Sequence, residues 1–195
     1  MSFNSFNEVA YLIKSYAANK KWFRCFTHRS SVALILRENN QALEVLMIKR
    51  AEREGDPWSG QMGFPGGRAE KVDKNTLCTA RRETYEEIGL DASACTQHIG
   101  RLSDILARPR RWPKAMVVTP YIFTIEQVPA LRLNGEVDEV VWIPLAFFFN
   151  KDNRKEKLFT RGSLQRLLPY YEYQGKTVWG MSLMMLDELM TLIQR

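Results

Sequence analysis

The chain has 195 residues, of which 45% are hydrophobic, a length and composition that fit one globular domain over residues 1–195. Its formal net charge of +6 suits an anionic substrate, a nucleic acid or an anionic surface without choosing among them. No apolar run approaches the roughly 20 residues of a membrane span, the N-terminus lacks a secretory pattern, and Cys25, Cys78 and Cys95 have no metal-site spacing; together these point to a reducing cytoplasm and no membrane.

In chain order, residues 1–20 are expected to hold a helix. Val9, Tyr11, Leu12, Ile13 and Tyr16 give the segment from Glu8 to Asn19 an apolar pattern at helical spacing. Residues 31–37 and 43–50 are rich in aliphatic side chains and flank the turn signal Glu38-Asn39-Asn40-Gln41, so they read as a β-hairpin. The proline- and glycine-rich stretch 55–67 reads as a loop, ending in Pro65-Gly66-Gly67, where the backbone is free to approach a ligand closely.

A helix follows, with Asn75 or Thr76 at its N-cap and Gly89 just past its end. Glu83, Glu86 and Glu87 fall within an arc of about 100° on it, and Leu77, Ala80, Thr84 and Ile88 occupy the adjoining, core-facing sector. Three like charges in the last turn repel one another and oppose the negative end of the helix dipole. A hard divalent ion, Mg²⁺ or Mn²⁺, would turn that repulsion into coordination and bridge to substrate phosphates. Arg82 lies one turn before Glu86, where it can hold that carboxylate.

Beyond the acidic helix, residues 99–106 and 116–125 read as strands, with the basic segment 108–114 between them. Residues 137–143 read as a further strand, followed by a short helix from Pro144, while 156–178, with no clear period, read as short strands and a turn. Residues 181–195 are expected to form a closing helix, with Leu183, Met184, Leu186, Leu189, Met190 and Ile193 available for burial or for contact with a second copy. This order suits an α/β fold with a mixed sheet between helices.

The segment 66–90 resembles the Nudix box, the signature of the Nudix hydrolases. Its second half is matched by Arg82-Glu83-Thr84-Tyr85-Glu86-Glu87-Ile88-Gly89-Leu90, with Thr84 where an aliphatic residue is usual. In its first half Asp73 replaces a Glu, and one extra residue precedes Arg82. The lead-in Gly60-Gln-Met-Gly-Phe64-Pro65-Gly66-Gly67 is similar to that of the coenzyme A pyrophosphatase branch, although Asp56 stands where that branch has Arg, and Arg50 and Arg53 are out of register with it. The resemblance implies an α/β/α sandwich. It also implies an enzyme that uses Mg²⁺ or Mn²⁺ to cleave a nucleoside diphosphate linked to another group. Glu83, Glu86, Glu87 and the Gly66 carbonyl would be metal ligands, with Gly67 beside them.

Diphosphate hydrolysis needs charge neutralisation, an oriented water and a proton acceptor. Glu83 is one candidate acceptor. Glu136 and Glu139, on a loop entering a strand, are the others, and their spacing in a strand would turn them to opposite faces, so only one should serve. Arg50, Arg53, Arg110 and Arg111 are candidate phosphate ligands, since the planar guanidinium matches phosphate oxygens. A second reading, a nucleotide- or nucleic-acid-binding module without turnover, rests on the basic segment and Trp112. The acidic cluster argues against it. A small molecule containing a nucleoside diphosphate is the expected partner, with the chain acting as a monomer or homodimer.

Overall fold

The structure is a computed structural model that describes residues 6–54, 59–107, 115–161 and 164–194. Helix α1 (Phe6–Ser15) and a 3-10 turn at Trp22–Phe26 lead into a long hairpin, β1 (His28–Asn39) and β2 (Ala42–Arg50). The intervening Asn40 and Gln41 both have positive φ, 48° and 64°, which gives a two-residue turn whose twist matches the strands it joins. Short strands β3 (Met62–Gly63) and β4 (Gly66–Arg68) precede helix α2 (Thr76–Ile88). Then come β5 (Gln97–Arg101), β6 (Ile105–Ala107), β7 (Met116–Thr124), β8 (Val137–Pro144), the short helix α3 (Leu145–Phe149), a meander of β9 (Arg154–Arg161), β10 (Leu164–Tyr173) and β11 (Lys176–Trp179), and helix α4 (Gly180–Ile193).

Among the described residues β1 to β8 form one mixed sheet, ordered β3-β2-β1-β7-β5, with β4 paired to β1, β6 to β7 and β8 to β2. The β1–β7 pair is parallel and the other pairs are antiparallel. Alternation along the strands sorts the core into two layers. Ala33, Ile35, Leu46, Ile48 and Phe123 face α2 through Ala80 and Ile88. Leu34, Leu36, Val45, Met47 and Ile122 face α1 and α4 through Val9, Ile13, Leu186 and Leu189. The result is the expected α/β/α sandwich. Among the described residues no helix is long and apolar enough to cross a membrane.

Several boundaries differ from the sequence reading. The first helix ends at Ser15 rather than at Asn19, and the last begins at Gly180. The strand expected over 99–106 is two strands, because the chain between them bends to bury Asp104. The Asp104 carboxylate accepts from Arg101, from the Thr119 hydroxyl and from the Lys21 N–H, tying the N-terminal segment to the sheet. Residues 156–178 are a meander, closed at Gln174-Gly175 by a second turn with two positive φ values, 50° and 74°.

Candidate active site

Helix α2 is anchored at both ends. The Asn75 side chain accepts from the Cys78 N–H at 3.0 Å, and Gly89 takes φ 70° while donating to the Tyr85 carbonyl. The Ile88 and Glu87 carbonyls, which a helix end leaves unpaired, accept from the Arg132 and Asn134 N–H groups. The loop that caps α2 therefore runs directly into Gly135 and Glu136, delivering Glu136 to the same place as the acidic turn.

Opposite α2 lies β4. The Pro65 carbonyl accepts from the Ala33 N–H at 2.8 Å, and the Ser30 hydroxyl donates to the Gly67 carbonyl at 2.6 Å, which pins the glycine pair to β1. A Cβ on Gly66 would strike the Ser31 carbonyl and Val32, and Gly66 has φ 157°; a Cβ on Gly67 would strike the Glu83 carboxyl. Gly66 is therefore needed for β4 to sit against β1, and Gly67 for the Glu83 carboxyl to keep its place beside β4.

A cleft of about 550 Å³ opens along this seam. One end is polar, with Glu83, Glu87, Arg50 and Glu136. The other is apolar, with Met62, Phe64, Met116, Val118, Trp179, Met181 and Met185. Glu87 is 2% exposed, and its Oε2 accepts from the Gly66 N–H at 2.8 Å while Arg50 lies 3.7 Å from Oε1. Burial pushes its carboxyl up to about 7, against the opposing pull of the Gly66 N–H and Arg50. Burial also raises the Glu83 carboxyl; Arg82 offsets part of that, and the charges of Glu86 and Glu70 add to it.

Arg82 organises the helix side of the cleft. Its Nε and Nη2 donate to both oxygens of Asp73, each at 3.1 Å, and Nη2 also donates to the Arg68 carbonyl and pairs with Glu83 at 2.9 Å. Its Nη1 holds Glu86 at 2.9 Å, the contact the one-turn spacing suggested. Asp73 is thus the anchor of Arg82. Burial alone would raise its carboxyl, but the hydrogen bonds from Arg82, the Glu70 N–H and the Thr79 hydroxyl outweigh burial and lower it.

The sequence-derived candidates separate in space. Glu83, Glu87, Arg50, Gly66, Gly67 and Glu136 all line the cleft. Glu86 is half exposed and turned to Arg82. Glu139 pairs with Lys176 at 3.1 Å and Arg53 with Glu136 at 3.3 Å, and neither Glu139 nor Arg53 lines the cleft. Arg110, Arg111 and Trp112 lie outside the described residues, as do Asp56 and Trp58. Among the described residues no group of three or more acidic, His or Cys side chains is already gathered around a point. The sequence reading missed the far wall of the cleft, where Trp179, Met181, Ser182 and Met185 stand at the start of α4. Its signal was the short gap between an aromatic-rich strand and a Met-rich helix.

Fold and acidic helix together define a class of α/β/α proteins that set desolvated carboxylates against a glycine-bound strand. The NUDIX domain model matches residues 27–162, and the chain belongs to the Nudix family. It is 32% identical over 142 residues to mitochondrial coenzyme A diphosphatase NUDT8 of Homo sapiens, covering 71% of this chain and 58% of the relative. To peroxisomal coenzyme A diphosphatase ndx-8 of Caenorhabditis elegans it is 27% identical over 159 residues, covering 80% and 64%. A protein of Schizosaccharomyces pombe described as uncharacterized is 36% identical over 105 residues, covering 52% and 32%. The chain thus spans between about a third and two thirds of the length of these relatives.

Proposed function

We propose that this chain is a divalent-metal-dependent pyrophosphohydrolase that cleaves the diphosphate of a nucleoside diphosphate linked to another moiety, with coenzyme A-type substrates the first choice. The observation that carries this reading is the Glu83–Glu87 pair, desolvated inside a cleft that otherwise suits an elongated organic substrate. Carboxylates placed there would repel a phosphate unless a cation stood between them. A simple binder of nucleotides or nucleic acid gains nothing from them, so hydrolysis is the better reading.

The donor set fits a hard cation: all its side-chain donors are carboxylate oxygens, two of them short of compensation where they stand. Glu83, Glu86 and Glu87, with the Gly66 carbonyl, would hold Mg²⁺ or Mn²⁺, which would supply charge neutralisation and a more acidic water. The remaining work falls to the chain itself. Arg50 draws the diphosphate toward the polar end. Arg82 fixes where Glu83 and Glu86 stand. Glu136, on the loop that caps α2, takes the proton of the attacking water. The apolar wall of Met62, Phe64 and Trp179 holds the rest of the substrate and keeps bulk water out. The relatives named above as coenzyme A diphosphatases support the choice of substrate. Cys25, Cys78 and Cys95 are free thiols, which supports a reducing compartment, whether the cytoplasm or the mitochondrial or peroxisomal setting in the relatives' names.

The test is product identity. Coenzyme A, ADP-ribose, NADH, dinucleoside polyphosphates and oxidised nucleoside triphosphates are incubated separately with Mg²⁺ and Mn²⁺. Coenzyme A is expected to be split at its diphosphate, with all turnover lost to a chelator. Failure to split any diphosphate would remove the enzyme reading, and splitting only the others would remove the substrate choice. Gly67→Ala provides a second check. Its Cβ falls on the Glu83 carboxyl, so turnover should drop about 100-fold, the scale of a roughly 1 Å misplacement in a reacting site. Wild-type turnover in that variant would show that Glu83 need not stay where it is.

A further inference from the structure

The three-stranded meander carries cations on a face of which the proposed reaction uses only Trp179, at the cleft wall. Its opposite face is core near β11, where Tyr171 and Val178, paired across β10 and β11, are both buried. Successive residues alternate, and directly opposed residues share a face. Trp179 and Tyr170 therefore lie together on the outer face, and Lys155, opposed to Tyr170 on β9, lies with them. Trp179 is also part of the cleft wall. The row Trp179–Tyr170–Lys155 accordingly runs from the cleft across two strand spacings, about 10 Å.

Lys157 is two residues along from Lys155 on the same face, opposed to Leu168, and Arg166 is the diagonal neighbour of Lys157. All three cations are exposed. The acid beside them is Glu172, which meets Lys155 at 3.5 Å in a pair open to solvent on both sides. An exposed ion pair of this length holds its partners weakly and yields to a better anion. The outer face thus offers two aromatic rings next to the cleft and an excess of positive charge just past them.

We propose that this face is a nucleotide subsite for substrates bearing a further phosphate on the ribose. The base rests against Trp179 and Tyr170, and the extra phosphate meets Lys155 and Lys157, with Arg166 behind them. Stacking tolerates any base, since each has a π-face, so the selectivity lies in the phosphate. The subsite rests on the proposed diphosphate reading only in naming what else the substrate carries; the binding itself needs no turnover.

Equilibrium binding of adenosine 3′,5′-bisphosphate and adenosine 5′-monophosphate to the full chain tests the subsite without catalysis. Wild type should prefer the bisphosphate. Lys155→Ala with Lys157→Ala should weaken its binding about tenfold, the scale of one charge-assisted hydrogen bond, and leave the monophosphate unchanged. Both substitutions are on an exposed face, and an unchanged melting curve would confirm the fold. In turnover, the same variant should show a raised KM for coenzyme A, unchanged kcat, and unaltered kinetics toward the dephosphorylated analogue. Equal binding of the two nucleotides by wild type, or equal weakening of both in the variant, would overturn the subsite even if hydrolysis persists. Discrimination without hydrolysis would keep the subsite and overturn the diphosphate reading instead.

Discussion

Glu87→Gln is expected to abolish turnover and, in the absence of divalent cations, to make the protein more stable at pH 8. The buried carboxyl has its folded value raised from 4.5 to about 7, so the folded state holds its proton more tightly than the unfolded state does. Where the folded state binds more protons, stability falls as pH rises. This residue therefore costs nothing below about pH 4.5, costs progressively more up to about pH 7, and above that destabilises by about 3 kcal/mol. The sign is opposite to that of a salt-bridged acid. Glutamine is nearly isosteric, keeps a carbonyl oxygen for the Gly66 N–H, and carries no charge. Urea denaturation with a chelator should give similar stabilities for the two proteins near pH 5. By pH 8 the variant should be ahead by about 2–3 kcal/mol. Titrating groups remote from Glu87 are common to both proteins and cancel in the difference, while Glu83 and Glu136, relieved of a neighbouring negative charge, move it in the same direction. Hydrolysis at pH 8 with Mg²⁺ should fall at least about 100-fold, the scale of losing a group that stabilises developing charge. A variant as unstable at pH 8 as at pH 5 relative to wild type, or one that still turns over, would mean that the Glu87 charge is neither confined nor used.

The acidic turn, the glycine pair and the β1–β2 hairpin were legible in the sequence because each is local. The spacing of Glu83, Glu86 and Glu87 follows from helix geometry alone, and Asn40-Gln41 sits where a two-residue turn must. What sequence spacing could not convey is which of these side chains are desolvated. Glu86 and Glu87 are neighbours in the chain, yet one is half exposed and the other is sealed beneath Gly66, because β4 crosses the helix at one azimuth only. The separation of Glu136 from Glu139 has a similar origin. Glu136 is brought in by N–H groups of Arg132 and Asn134 that cap α2, a contact between segments far apart in sequence, while Glu139 continues along β8 and meets Lys176. The meander read only as short strands and a turn, with no inner face assigned, because its core-facing residues, Tyr171 and Val178, alternate with Tyr170 and Trp179, so both faces read as aromatic or apolar.

Arg82→Ala is expected to cost about 3 kcal/mol of stability and most of the activity, through Asp73 more than through the acidic turn itself. The Asp73 side chain is 3% exposed, and Arg82 meets both of its oxygens, leaving only the Glu70 N–H and the Thr79 hydroxyl once the guanidinium is gone. Removing one partner of a buried pair strands the other charge, which typically costs 3–5 kcal/mol, and the two surviving hydrogen bonds place this case at about the lower end. Lysine cannot reproduce a two-pronged contact that also reaches Glu83, Glu86 and the Arg68 carbonyl, so Arg82→Lys should recover little. Asp73→Asn removes the stranded charge. In a double-mutant cycle it should therefore be nearly neutral in the Arg82→Ala background and costly in wild type, with a coupling of about 2 kcal/mol. The pH dependence supplies an independent sign. The Asp73 carboxyl is held below its ordinary value, so its contribution to stability is present above about pH 4 and is lost as pH falls. Wild type should lose that increment on acidification, whereas Arg82→Ala, lacking the hydrogen bonds that depress the carboxyl, should lose less. Additive stabilities in the cycle, or equal acid sensitivity of the two proteins, would mean that Arg82 is held by the helix alone and that the loop from Arg68 to Asp73 does not depend on it.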